Sequence, residues 1–310
     1  MTTIALITGA NKGIGFATAQ LLAGRGMTVL LGARDADRGQ QAEQALREAG
    51  GQARFVLLDV TDEKTAGQAA AWIEAEYGRL DVLVNNAGIA RGDGHGQPSE
   101  TTAGTLREVF ETNVFGVVAV TNAMLPLLRR APAARIVNVS SEVGSITSMT
   151  DPDSPLYPMA SVPYPASKAA LNMVTAMYAK ELRDTPIKVN AANPGYCATD
   201  LNGHRGFRAP EQGAAVVAQL ATLPADGPDG VLWGTCGPPT APTRTACCPG
   251  NRPRPGQSSM REPMTTVRSP GSWKDSVASA VIREVARKRR LRHRLRPGVS
   301  PRCSSMRDRK

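Results

Sequence analysis

Cysteine is almost missing from residues 1–235: of the five in this 310-residue sequence, only Cys197 lies there. One thiol cannot build a disulfide framework, which fits a reducing compartment and predicts a cytoplasmic protein. The other four, Cys236, Cys247, Cys248 and Cys303, do not have the spacing of zinc ligands, and two are adjacent, so no metal site is expected. No stretch approaches the run of about 18 apolar residues that suits a membrane span. The opening MTTIALITGA has no basic leader and reads as a first strand, not a signal peptide. Internal repeats are absent.

Positive charge is also scarce in 1–235. Nineteen Lys and Arg face 23 Asp and Glu there, a net of −4, while residues 236–310 carry 18 against 4, a net of +14. The overall +10 therefore belongs to the tail. A mildly acidic body argues against nucleic acid as its main partner and leaves that open for the tail.

Short apolar runs alternate with helical spacings. Strands are predicted at 3–8, 27–33, 55–58, 80–85, 135–140, 187–192 and 231–234. Helices are predicted from 14 onward and at 37–48, 63–77, 105–128, 164–182 and 210–223. This alternation predicts an α/β domain over 1–235: a doubly wound, Rossmann-like parallel sheet covered on both faces. Ligands then bind beyond the carboxyl ends of the strands. After about residue 235 the chain turns to Pro, Gly, Arg and Ser. Such a segment buries too little to offset its ordering entropy and is expected to be disordered, with a basic helix at 276–296.

Glycines follow the first strand in Thr8-Gly9-Ala10-Asn11-Lys12-Gly13-Ile14-Gly15. At that turn they let backbone approach a pyrophosphate, and the helix that follows offers unpaired N–H groups. Later come Asn85-Asn86-Ala87-Gly88, then Tyr164-x3-Lys168, then Pro194-Gly195 with Thr199. A lysine four residues after a tyrosine shares its helix face. Its ammonium, beside a positively charged nicotinamide, favours tyrosinate, so the phenol is expected to fall from about 10 toward neutrality. The dull alternative is an ordinary surface pair.

In order and spacing these four motifs resemble the short-chain dehydrogenase/reductase family, in particular its carbonyl-reductase-like members. The resemblance implies an NADP(H)- or NAD(H)-dependent enzyme acting on a carbonyl or alcohol. It places Ser141, Tyr164 and Lys168 at the reacting centre, with Asn113 anchoring a water relay to the lysine. Asn113 also reads as a buried polar residue satisfying backbone at a helix kink. Of the two serines closing the fifth strand only one can face the substrate, and the resemblance chooses Ser141 over Ser140. The cofactor side comprises Gly9, Asn11, Lys12, Gly13, Ile14, Gly15, Asp59, Val60, Asn86, Ala87, Gly88, Pro194, Gly195 and Thr199, with Tyr164 and Lys168 at the nicotinamide ribose. Asp62 or Thr61 reads more simply as a helix cap. The family's acidic residue after the second strand is replaced by Ala33, and Arg34 follows. Arg34 and Lys12 would attract a 2′-phosphate, which favours NADP(H).

Two departures stand out. Ser141 and Tyr164 are 23 positions apart, where about 13 is usual in the family, with Ile146, Met149, Leu156, Tyr157 and Met159 in the excess. With Tyr196 they predict a largely apolar small-molecule substrate, or they anchor the loop. An insertion here leaves monomer and homo-oligomer both open. The tail is the other departure. It reads as the product of a shifted reading frame in a GC-rich gene, or as a basic appendage with 283–296 touching RNA, DNA or an anionic membrane. A rival for the whole chain is a non-catalytic NADP-binding regulator or scaffold.

Overall fold

The computed structural model describes residues 2–91 and 97–234. Every expectation for 236–310 lies outside the described residues.

The chain starts with β1 (Ile4–Thr8), α1 (Gly13–Ala23), β2 (Thr28–Ala33), α2 (Ala36–Glu48), β3 (Gln52–Leu57), α3 (Glu63–Tyr77) and β4 (Val82–Asn85). It continues with α4 (Ala103–Phe110), α5 (Gly116–Leu128), β5 (Arg135–Val139), α6 (Ile146–Thr150), α7 (Pro163–Glu181), β6 (Lys188–Asn193), α8 (Pro210–Ala221) and β7 (Leu232–Gly234). All seven strands are parallel, in the order β3-β2-β1-β4-β5-β6-β7. This is the predicted Rossmann-like sheet, and its order reverses between β1 and β4. A crevice opens at such a switch point, beyond the carboxyl ends.

Both faces of the sheet are buried, so β1 is apolar at nearly every position. Ile4 and Leu6 enter one layer with Leu30, Ile73, Val120 and Met124. Ala5 and Ile7 enter the other with Leu22, Leu31, Leu46 and Val217. The period of two thus divides one strand between two cores.

Two details differ from the sequence reading. Strand β3 begins at Gln52, because an edge strand alternates exposed and buried residues and does not show as an apolar run. The long helix expected at 105–128 is divided by a π-helical turn, Glu111–Phe115, in which the Gly116 N–H reaches the Glu111 carbonyl. An 18-residue window of the run Ala103–Leu128 reaches a mean hydropathy of 1.3, enough by length and composition alone to cross a membrane. Half of that window is buried inside the protein, as in a core helix, so there is no clear membrane span among the described residues. Here Val109, Val117, Val120, Met124 and Leu127 of this run are buried in the protein.

A polar ladder crosses the core under the switch point. Asn85 and Asn138 are register partners on β4 and β5. Asn85 Nδ2 donates to Asn138 Oδ1 (2.8 Å) and Thr121 Oγ1 (3.0 Å), and Asn138 Nδ2 donates to Thr175 Oγ1 (2.9 Å). The ladder joins two strands to α5 and α7. Breaking it leaves buried groups unpaired. Asn138→Ala is expected to cost about 2–3 kcal/mol in urea unfolding; a wild-type midpoint would show that the ladder contributes nothing.

Candidate active site

The glycine loop is held at the sheet's carboxyl edge by contacts from both neighbouring strands. Ala10 N–H donates to Gly32 O at 3.1 Å. Asn86 Nδ2 donates to Thr8 O (2.9 Å) and Gly9 O (3.1 Å). Thr8 Oγ1 accepts the N–H groups of Asn86 and Ala87, each at 3.0 Å. The loop closes so tightly that a Cβ on Gly15 would collide with the Asn86 side-chain nitrogen and the Gly9 carbonyl. Thr8 was absent from the sequence-derived site, although it opens the motif.

Helix α1 has no side-chain cap, and no acid lies in its first turn. By contrast, Asp35 caps α2, Asp62 caps α3 and Thr102 caps α4. The Asp62 cap agrees with the simpler reading of that loop. Uncapped amides beside Asn11, Gly13 and Ile14 are the donor set that a pyrophosphate needs. The residues present therefore fit a dinucleotide. Thr199 packs against this loop: a methyl on Gly13 would lie 3.4 Å from its Cγ2.

Further along the edge, Arg34 follows β2, exposed, and forms no ion pair among the described residues. Asp59, beyond β3, turns its Oδ1 to the N–H (3.0 Å) and hydroxyl (2.8 Å) of Thr61. Val60 is buried, with its carbonyl pressed on Gly116. Among the described residues no hydrogen bond or ion pair joins the side chain of Arg34 or Asp59 to the glycine loop. Lys12 departs from the expected picture: its Nζ lies 2.5 Å from Asp200 Oδ2. No motif in the sequence links these residues, which are 188 positions apart.

On the other side of the switch point, α7 packs against the end of β5. Lys168 is 4 % exposed, and its Nζ donates to Val139 O at 2.7 Å. The amine sits 5.4 Å from the centre of the half-buried Tyr164 ring. Gly88 touches the same spot: a methyl there would meet Asn113 Oδ1 at 3.4 Å and Lys168 Nζ at 3.8 Å. Asn113, fully buried in the π turn, accepts from Ile89 N (2.8 Å) and donates to Ile89 O (2.9 Å) and Ser167 Oγ (3.0 Å). Ser167 Oγ in turn donates to Tyr164 O at 2.7 Å. The backbone-satisfying reading of Asn113 is thus realised, and Ser167 is a link the sequence did not reveal.

The two serines after β5 diverge. Ser140 Oγ is committed to Asn172 Oδ1 at 2.6 Å. Ser141 begins a 3-10 turn, Glu142–Gly144, and its Oγ only weakly accepts from Val143 N at 3.4 Å. Gly195 lies beyond β6, its N–H on Asn193 Oδ1 at 3.2 Å, and Pro194 packs on Gly213.

In the protein alone, desolvation governs both groups. Burial pushes the Tyr164 phenol up to about 12 and the Lys168 ammonium down to about 8. The protein alone does not lower the phenol, because desolvation disfavours both charges.

A parallel sheet with an uncapped first helix and a Tyr–Lys pair at its switch point defines a dinucleotide-binding oxidoreductase. The family described as short chain dehydrogenase matches residues 3–206, and the chain belongs to it. It is 39 % identical to the short-chain dehydrogenase anuI of Penicillium roqueforti, over 71 % of this chain and 88 % of that one. It is 34 % identical to mouse carbonyl reductase [NADPH] 1, over 73 % and 94 %. The solved structure of salutaridine reductase from Papaver somniferum superposes with a TM-score of 0.64 at 29 % identity, covering 74 % of this chain and 99 % of that one. As a member, the chain is an oxidoreductase of the carbonyl/alcohol class that takes a nicotinamide cofactor.

The Lys168 environment has a consequence for stability. Between its folded value of about 8 and its usual 10.5, the unfolded chain holds a proton that the folded chain has lost. Stability from this group therefore rises with pH across that window, by on the order of 3 kcal/mol. Urea unfolding of wild type and Lys168→Met from pH 7.5 to 10.5 should show this rise in wild type alone. Parallel profiles would contradict a desolvated amine.

Proposed function

We propose that the chain is an NADP(H)-dependent oxidoreductase that reduces an aldehyde or ketone on a largely apolar small molecule to an alcohol, or runs the reverse. The observation that carries this reading is the buried Lys168 amine 5.4 Å from the centre of the Tyr164 ring, on the same sheet as the tight loop of Gly9, Asn11, Gly13, Ile14 and Gly15.

NADP(H) supplies or accepts the hydride when bound. Tyr164 gives its proton to the substrate oxygen during reduction. A phenol held near 12 is fully protonated at neutral pH, the form a proton donor needs. In the alcohol-oxidising direction Tyr164 must lose that proton, and Lys168 stabilises the phenolate. Ser141, whose hydroxyl is only weakly engaged, orients the same substrate oxygen, while Ser140 is occupied by Asn172. Asn113 holds the Ile89 backbone and Ser167 in place, and through them the first turn of α7. Lys168 would also hold the nicotinamide ribose. Thr199, Pro194 and Gly195 would hold the nicotinamide end, and Asn86, Ala87, Gly88, Asp59 and Val60 the adenosine end.

Cofactor choice rests on Ala33, which stands where NAD-using folds place an acid, and on Arg34 directly after it, which forms no ion pair among the described residues. The NADPH in the mouse relative's name agrees with this. Apolar substrate preference is supported by side chains left in solvent after β5 and β6. Ile146 is 76 % exposed and Tyr157 53 %, while Tyr196 and Phe207 meet edge to face with centroids 5.9 Å apart. The single body cysteine, Cys197, is a free thiol, in keeping with a cytoplasmic location.

A panel of aldehydes, ketones and quinones with NADPH tests the activity. Tyr164→Phe should lower turnover by about 10²–10⁴-fold while NADPH binding is retained. An active Tyr164→Phe enzyme would remove the mechanism. Arg34→Ala should weaken NADPH binding by about tenfold and leave NADH unchanged; equal effects on both would refute the 2′-phosphate role.

A further inference from the structure

The Lys12–Asp200 pair joins two loops of the site. Lys12 is the residue before α1, and its Nζ lies 2.5 Å from Asp200 Oδ2. Asp200 opens a 3-10 turn, Asp200–Asn202, beyond β6. Its other oxygen takes His204 Nε2 at 2.8 Å. His204 adopts a left-handed backbone, φ 60, that returns its N–H to Thr199 O at 2.9 Å. The carboxylate is therefore fixed by its own turn, and Lys12 comes to it. Lys12, foremost by its hydrogen bond, holds the Asp200 carboxyl below the usual carboxylate range, with His204 adding to the effect.

The position matters because of its sign. The start of α1 carries no acid of its own, as suits a phosphate site. Asp200 delivers a negative charge there from another loop, on the lysine best placed to meet a phosphate. Both side chains are more than half exposed (55 % and 56 %), so the pair is held weakly. A weak partner that occupies a cation can be exchanged for a stronger one, and a phosphate is stronger.

We propose that Asp200 is an internal competitor for the cofactor phosphate at Lys12 and sets dinucleotide affinity below what the loop alone would give. This rests on the cofactor reading above. Asp200 is a residue that tunes affinity, and it does not touch the reacting atoms. The cost of freeing Lys12 is that of an exposed ion pair, which limits the effect to about fivefold.

The test uses dissociation constants of the full-length chain for NADPH and NADH, by calorimetry, for wild type, Asp200→Asn, Lys12→Gln and the double variant. Asp200→Asn should tighten NADPH binding by up to about fivefold, and the gain should vanish when Lys12→Gln is also present. The proposal is overturned if Asp200→Asn leaves affinity unchanged or weakens it, or if the gain persists without Lys12. Tighter binding of NADH than NADPH by wild type would refute the NADP(H) reading alone. The coupling between positions 12 and 200, read with NADH, then decides the proposal by the same criteria.

Discussion

The site depends on an amine kept out of water. Lys168 reaches the end of β5 because α7 lies directly on that strand end. A methyl on Gly144 would stand 2.6 Å from the Lys168 backbone, and the Val139 carbonyl takes the ammonium. Burying a charge in this way is costly unless something accepts its protons. The strand end supplies one acceptor, and the remaining cost appears as an ammonium that titrates near 8. The Asn85–Asn138–Thr175 ladder and the Asn113–Ser167 link hold the two helices beside the strands that make this burial possible. Disturbing either would let water reach the amine and weaken its hold on a nearby phenolate.

The two halves of the site spend charge differently. On the β4–β5 side a single cation is dried and placed beside a phenol. On the β1–β2 side cations stay in water, where Arg34 is unpaired among the described residues and Lys12 shares itself with Asp200. The division suits chemistry at one end and reversible binding at the other. Proton transfer gains from a low dielectric, which strengthens every charge interaction. Cofactor exchange gains from solvated contacts that release readily.

Much of this was legible in the sequence because the signals were local. The period of two in Ile4–Thr8, the glycines before Ile14, and the four-residue step from Tyr164 to Lys168 each place chemistry without reference to distant residues. What escaped was non-local or cooperative. Strand β3 starts early because a sheet edge tolerates Gln52 and Arg54. The π turn at Asn113 answers to Ile89 and Ser167, which only the fold brings near. Asp200 meets Lys12 across the cleft. Spacing reports that the lysine is near the phenol, while the desolvation that keeps the phenol high in the protein alone is a property of packing.

The most direct measurement is the ionisation of Tyr164 followed by ultraviolet difference absorbance, comparing wild type with Tyr164→Phe, with and without saturating NADP⁺. The account predicts a phenol near 12 in the free protein that moves several units toward neutrality once the oxidised cofactor's positive charge joins Lys168 beside it. A Tyr164 titration that stays near 12 with NADP⁺ bound would contradict the claim that this tyrosine and lysine form the reacting centre.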